Sequence, residues 1–291
     1  MPNVEENDLL LKLNQSYKSL SKGQKQLANY IMENYDRAAF ITASKMGRIV
    51  GVSESKVVRF AYALGYDGYP ELQKSLQELI RNKLTSVQRI QLTSELKQDD
   101  VLKSVLKADM ANIRATIDSI DNAAFSDSIN ALLNAERVYI IGVRSAAPLA
   151  QFLAYYLNFV LDNVITVNMI VSDAYESMVR ISANDVCVGI SFPRYSRRTI
   201  EALSFAKSRG AQLIAITDSV FSPLAELADH ALIARSDMAS FADSLAAPLS
   251  LINAIIVATS LQRKDEVFER FSQLENIWGR PNVYINKENG K

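Results

Sequence analysis

Three short stretches of this 291-residue chain bring together side chains able to grip a ligand. The first holds Ser55, Lys56, Arg59 and Tyr62. Lysine and arginine suit guanine edges or phosphates and hydroxyls suit either, so this set fits a nucleic acid. The second is Gly142-Val143-Arg144-Ser145-Ala146, and the third runs from Ser191 through Pro193, Arg194 and Ser196 to Thr199. Guanidinium and hydroxyl groups beside a turn can hold phosphate or carboxylate through charge-assisted hydrogen bonds. Catalytic chemistry has little to draw on. The single cysteine, Cys187, lies in an apolar run and reads as a small buried hydrophobe, and the single histidine, His230, reads as structural. One Cys and one His do not make a zinc site of the usual kind, so neither a metal nor a cofactor is expected.

The elements that must position these groups differ between the two ends of the chain. Over residues 21–81 every apolar pattern is helical. Leu27, Tyr30 and Ile31 share one face, opened by Ser21 and Gln24 in the spacing of a capping box. Met46, Ile49 and Val50 form a second, shorter stripe after Thr42, an expected N-cap. Gly51-Val52-Ser53 interrupts it. Val57, Phe60, Ala61 and Leu64 then form a third stripe with Ser53 as N-cap and Gly65 as stop. Two short helices about a glycine-containing turn fit a helix-turn-helix. Gly47 inside the second helix costs stability, ~1 kcal/mol against Ala, and close backbone approach is a reason to keep it. With the third stripe packed inward, Ser55, Lys56, Arg59 and Tyr62 are left on the outer face. Between residues 42 and 62, Lys45, Arg48, Lys56 and Arg59 stand against Glu54 alone, a local charge of +3 in a chain of formal net charge zero.

Residues 71–134 read as helical, with a domain boundary between about residues 81 and 99. Beyond Glu136, apolar runs at 138–141, 164–167, 186–191, 213–217 and 231–234 alternate with helical stretches at 148–161 and 199–209. Strands lacking a polar face, alternating with helices, predict a parallel sheet covered on both sides. Residues 245–261 and 266–275 read as helices. Loops beyond the carboxyl ends of parallel strands are where such sheets bind ligands, and both anion-suited stretches fall there. The expected organisation is a helix-turn-helix domain over 1–81, a helical connector over 82–125, and a sensing domain over 126–291. Hydrophobic residues at 48% and charged residues at 22% describe an ordinary globular chain. A polar N-terminus without a signal-peptide core, apolar runs too short to span a bilayer, and a lone cysteine predict a cytoplasmic protein without membrane contact.

The run from Val52 to Leu72, VSESKVVRFAYALGYDGYPEL, resembles the signature of the RpiR-type (MurR/RpiR) family of bacterial transcriptional regulators. Ser53, Val57, Arg59, Phe60, Leu64, Gly65, Tyr66, Gly68, Tyr69 and Leu72 carry the resemblance; Lys56 departs from the family's usual Thr. The stretch from Gly210 to Leu232 is similar to the sugar-isomerase (SIS) domain that follows the helix-turn-helix in that family. The resemblance implies an all-α DNA-binding domain followed by a three-layer α/β SIS-like domain. Lys45, Ser53, Ser55, Lys56, Arg59 and Tyr62 would meet double-stranded DNA at a palindromic operator. Gly142, Arg144, Ser145, Ala146, Ser191, Arg194 and Ser196 would meet a small sugar effector. The family's first loop commonly reads Gly-x-Gly-x-Ser, where this chain has Arg144 and Ala146. Its second commonly reads Ser-x-Ser/Thr-Gly-x-Thr, where Pro193 and Arg194 replace the middle pair. A sugar acid therefore rivals a phosphosugar as effector. The expected function is a repressor of sugar catabolism genes, acting as a homodimer or a dimer of dimers. Two other classes remain open: an SIS-type sugar-phosphate isomerase or lyase, for which no loop glutamate is at hand, Glu201 being the nearest; and an interaction protein whose helical end only dimerises.

Overall fold

A computed structural model describes residues 9, 12–13, 16–17, 19–34, 38–39, 41–83, 100–167, 174–238 and 242–279. The chain divides into two compact units, Met1–Leu92 and Thr93–Lys291.

In the first unit, helices α1 (Lys22–Glu33), α2 (Ala43–Val50), α3 (Glu54–Ala63) and α4 (Tyr69–Lys83) follow one another. Their ends are specified locally. The Gln24 side chain accepts the backbone N–H of Ser21 at 2.9 Å, and Thr42 Oγ1 accepts that of Lys45 at 3.2 Å. Helix α3 stops in a Schellman arrangement: Gly65, at φ +82°, donates to the Tyr62 carbonyl at 3.0 Å and Tyr66 to that of Ala61 at 3.1 Å. Helix α3 packs against α1, α2 and α4, and its stripe Val57, Phe60, Ala61 and Leu64 is buried along with Leu27, Ile31, Met46, Leu72 and Leu76 of those helices. One expectation shifts and another is refined. Ile49 does not join the α2 stripe but is 49% exposed, because α2 is only eight residues long and buries Met46 and Gly47 instead. Ser53 occupies the N-cap of α3 with extended backbone, yet its hydroxyl meets Ser55 Oγ at 3.1 Å rather than capping a backbone N–H.

Gly47 is fixed by space. A Cβ there would stand 2.7 Å from the Val52 carbonyl oxygen and 3.4 Å from the Glu54 nitrogen, both backbone. Gly47→Ala is therefore expected to destabilise the first unit by about 1–3 kcal/mol, outweighing the gain in helix propensity. A fall in melting temperature of the whole chain would show it; an unchanged or raised one would mean that the turn between α2 and α3 yields.

Among the described residues of the second unit, α5 (Val101–Ser119) and α6 (Asn122–Asn134) come first. Asp121 caps α6 by accepting the N–H groups of Ala123 and Ala124. Strand β1 (Val138–Gly142), α7 (Ala147–Leu157), β2 (Val164–Thr166), α8 (Ala174–Ser177), β3 (Val186–Ile190), α9 (Arg197–Ser208), β4 (Gln212–Thr217), α10 (Pro223–Leu227), β5 (His230–Ile233), α11 (Ala246–Gln262) and α12 (Lys264–Gly279) follow. The five strands are parallel, in the order β2-β1-β3-β4-β5. Alternate side chains of each strand enter two separate cores. Ile140, Val188, Ile190, Ile214 and Ile216 pack with Leu149, Leu153, Leu251 and Ile252 on one face. Tyr139, Cys187, Leu213 and Ala215 pack with Met178, Leu203 and Leu224 on the other. Burial on both faces is why these strands read as unbroken apolar runs. Helix α7 ends at Leu157, short of the predicted 161, and a turn completes the segment. Helix α5 is tied to this unit: Asn112 exchanges hydrogen bonds with the Asp237 backbone at 2.9 and 3.1 Å, and Thr116 Oγ1 accepts from Arg235 N at 2.9 Å.

Candidate functional sites

Helix α3 presents Ser55, Arg59 and Tyr62 to solvent, Tyr62 at 58% exposure. Ser53 and Lys45 are exposed too. The Arg59 Nε–H donates to the Ser55 carbonyl at 3.3 Å, one turn back along the helix, and the residue as a whole stays exposed. Such a helix enters the major groove with its N-terminal residues at the base edges. Lys56 stands apart: it is half-buried, its stem lying over Gly23 of α1. Tyr69 explains one signature position that the sequence alone leaves unassigned. Its buried hydroxyl donates to the Ile41 carbonyl at 2.7 Å and, with Gln73 at 2.9 Å on the same oxygen, anchors the segment that leads into α2. Burial pushes the Tyr69 hydroxyl up to about 12, so it stays a neutral donor.

In the sheet the strand order reverses between β1 and β3, and at such a switch point the loops on the two strands diverge and leave a crevice. The two anion-suited stretches are the loops leaving those two strands, which pair in register with Gly142 opposite Ile190. Gly142 has no room for a side chain: a Cβ would stand 2.7 Å from the Ala146 carbonyl oxygen. Arg144 and Ser145 are exposed, but Ala146 is buried and its N–H donates to the Val143 carbonyl at 3.2 Å, so that group is already engaged. In the second loop Ser191 is 5% exposed and accepts the Ser196 N–H at 3.1 Å. Ser196 in turn caps α9 by accepting from Thr199 N at 3.4 Å. Arg197 pairs with Glu201 at 2.7 Å on a solvated helix face, and Arg198 is exposed.

Among the described residues, Arg144 at φ +58° and Arg194 at φ +66° are the non-glycine residues in left-handed backbone. A Cβ there costs roughly 1–2 kcal/mol per residue, and one such arginine stands in each loop that flanks the switch point. Three further groups stand at this end of the sheet. Tyr195 donates to Asp218 Oδ1 at 2.8 Å; Asp218 is 3% exposed just beyond β4; and the buried Thr199 hydroxyl lacks a hydrogen-bond partner. The signal for Asp218 was its place directly after an apolar strand. Tyr195 and Thr199 lie within the stretch that the sequence singles out, but what distinguishes them there is a contact and an unpartnered hydroxyl, which no residue pattern records.

His230 lies elsewhere. With Gln212, whose Nε2 is 2.8 Å from its Nε2, it lines a polar cavity of about 450 Å³ at the amino ends of the strands, with Asp127, Asn130 and Asn184. Cys187 is fully buried inside β3, and burial pushes its thiol up to about 12, far from a nucleophile's range. Among the described residues no group of His, Cys, Asp or Glu is placed to hold a metal ion, and no helix is long and apolar enough to cross a membrane.

Residues 7–83 match the model of the rpiR-family helix-turn-helix domain, and residues 131–258 match that of the SIS domain. The chain belongs to the RpiR family of transcriptional regulators. An HTH-type transcriptional regulator from Haemophilus influenzae is 27% identical over 236 residues, 79% of this chain and 81% of the relative. The sugar isomerase domain of an RpiR transcription factor from Sphaerobacter thermophilus superposes with a TM-score of 0.59 at 24% identity, covering 61% of this chain and 99% of that one. The Vibrio vulnificus NanR protein, solved in complex with ManNAc-6P, gives 0.57 at 22% identity, with 96% of this chain and 100% of that one covered. The solved structures speak for the fold of this RpiR-family chain.

Proposed function

We propose that this RpiR-family regulator represses genes of sugar catabolism from a palindromic operator and leaves it when an anionic sugar, phosphorylated or acidic, enters the crevice between the β1 and β3 loops. On this reading residues 1–81 bind DNA, 82–125 connect, and 126–291 sense the effector. The observation that carries it is the pair of left-handed arginines, one in each loop at the switch point. Backbone strain of that kind persists where function needs it, and a guanidinium is the side chain best shaped for phosphate or carboxylate. Ser191, whose hydroxyl proton remains to donate, and Ser145 complete a polar rim. That the related NanR was solved with a phosphosugar supports the class of ligand. The chain is taken to act as a homodimer or dimer of dimers, matching a two-fold operator. To pass from mostly bound to mostly free, the effector must favour the released arrangement by about 5 kcal/mol.

A sensor fits these groups better than an isomerase. Moving a proton between neighbouring carbons needs a free base at the reacting centre. His230 lies at the opposite end of the strands, and Asp218 Oδ1 is occupied by the Tyr195 hydroxyl.

Thermal-shift titration against phosphosugars, sugar acids and their neutral parents tests the reading. A binder specific for the native state stabilises it by about 2.7 kcal/mol at a hundred times its Kd, so the melting temperature should climb with concentration of the anionic compounds. Equal shifts from the neutral parents, or none from any anionic sugar, would remove the anion from the proposal.

A further inference from the structure

We infer that Lys56 holds a DNA phosphate rather than a base edge, and that Gly23 is the residue that aims it. The inference rests on the DNA-reading role proposed for α3. At about 100° per residue, Ser55, Arg59 and Tyr62 fall within an arc of about 60°, whereas Lys56 lies a further 60° round from Arg59, toward the buried stripe. Its stem crosses onto α1. A Cβ placed on Gly23 would stand 2.8 Å from Lys56 Cδ, 3.4 Å from Cε and 3.1 Å from Nζ, so the whole end of the side chain lies against the space that glycine leaves empty. Packed this way, the methylenes are covered and the ammonium is carried off the groove-facing arc to the flank of the reading helix. No acid receives it there: the first turn of α1 carries no acidic residue, and Lys56 makes no ion pair among the described residues. A helix lying in the major groove has the sugar-phosphate backbone along its flanks, and a compact ammonium with no fixed direction suits a phosphate, whereas a guanidinium suits the two acceptors of guanine.

Phosphate and base contacts leave different thermodynamic marks. Each neutralised phosphate of duplex DNA contributes a slope of about −0.9 to log K against log salt, without regard to sequence. Anisotropy titrations over a salt series would use two short duplexes: an operator recovered from a random pool by the wild-type protein, and an unrelated sequence. Lys56→Ala should reduce the slope by about 0.9 per bound reading head on both duplexes, so its deficit against wild type shrinks about threefold per head when salt rises fourfold. The ranking of operators altered at single base pairs should not change. Lys56→Arg should restore the slope. Gly23→Ala should lower the slope as Lys56→Ala does while the melting temperature holds or rises, because only a flexible side chain has to move. An unchanged slope with an altered ranking of base variants would make Lys56 a base reader, and an unchanged slope with an unchanged ranking would take it off the DNA; either result overturns the inference. Absence of any salt-dependent binding by the wild-type protein would instead sink the DNA-reading role itself.

Discussion

Arg59→Ala should cost operator affinity about 1–3 kcal/mol for each reading head, roughly five- to 150-fold, while leaving the fold untouched. Arg59 is exposed on α3 and, among the described residues, is held by the Nε–H that it donates to the Ser55 carbonyl at 3.3 Å. An exposed side chain of this kind adds within about 0.5 kcal/mol to stability, so the melting temperature should hold. The loss should also be selective. A guanidinium paired with the two acceptors of a guanine discriminates among base pairs, so the variant should weaken on the operator and change little on an unrelated duplex, the reverse of what is expected for Lys56. Arg59→Lys should not rescue it, because an ammonium lacks the planar fork. Binding isotherms at one fixed salt concentration suffice. Equal affinity of Arg59→Ala and wild type for the operator would mean that the face of Ser55, Arg59 and Tyr62 does not enter the groove.

A second substitution separates stability from recognition by moving them in opposite directions. Arg144→Gly removes a Cβ from backbone at φ +58° and should stabilise the unliganded second unit. Relief of about 1–2 kcal/mol is offset in part by the greater freedom of glycine in the unfolded chain, leaving up to about 1 kcal/mol. For a unit of this size that is a rise in melting temperature of about 2–4 °C. The same change deletes a guanidinium at the rim of the crevice. A hydrogen bond to a charged group is worth about 1.5–3 kcal/mol, so the effector titration found by thermal shift should move its midpoint to ten- to a hundredfold higher concentration. Arg194→Gly should weaken the effector likewise. A variant that melts higher and binds the effector unchanged would place Arg144 outside the ligand's reach. A variant that melts lower would mean that the side chain holds the turn and that its strain has no bearing on function.

Much of both units was legible in the sequence because the deciding interactions are local. The α3 stripe of Val57, Phe60, Ala61 and Leu64 lies at helical spacing, and burial of that face follows from spacing alone. Gly65 stops the helix where a left-handed residue is needed, and Thr42 and Ser196 cap with their own side chains. The five strands were visible because burial on both faces leaves no polar alternation, and their alternation with helices already implied a parallel sheet. Ile49 was misjudged for a converse reason. A stripe in a helix of eight residues has few positions to define its direction, and which of them is covered depends on the neighbours α2 meets. Ser53 stands at the N-cap where its place in the sequence puts it, but its hydroxyl meets that of Ser55 instead of a backbone N–H, a choice of rotamer that spacing does not encode.

Residue type and period alone placed the two short helices of the helix-turn-helix, the five strands of a covered parallel sheet, and Arg144 and Arg194 in the loops after two of those strands; they left α8 and α10 unmarked and did not divide residues 71–134 into separate helices. Type and period act over one or two turns. The folded chain alone makes β1 and β3 neighbours, so that those two loops flank one switch point, and puts both arginines in left-handed backbone. It alone brought Tyr195 to Asp218, turned Lys56 away from Arg59 onto Gly23, and put His230 at the far end of the strands. The physical reason is one of range. Strand order and side-chain direction are fixed by contacts between residues distant in the chain, and no local period records which distant partner will be met.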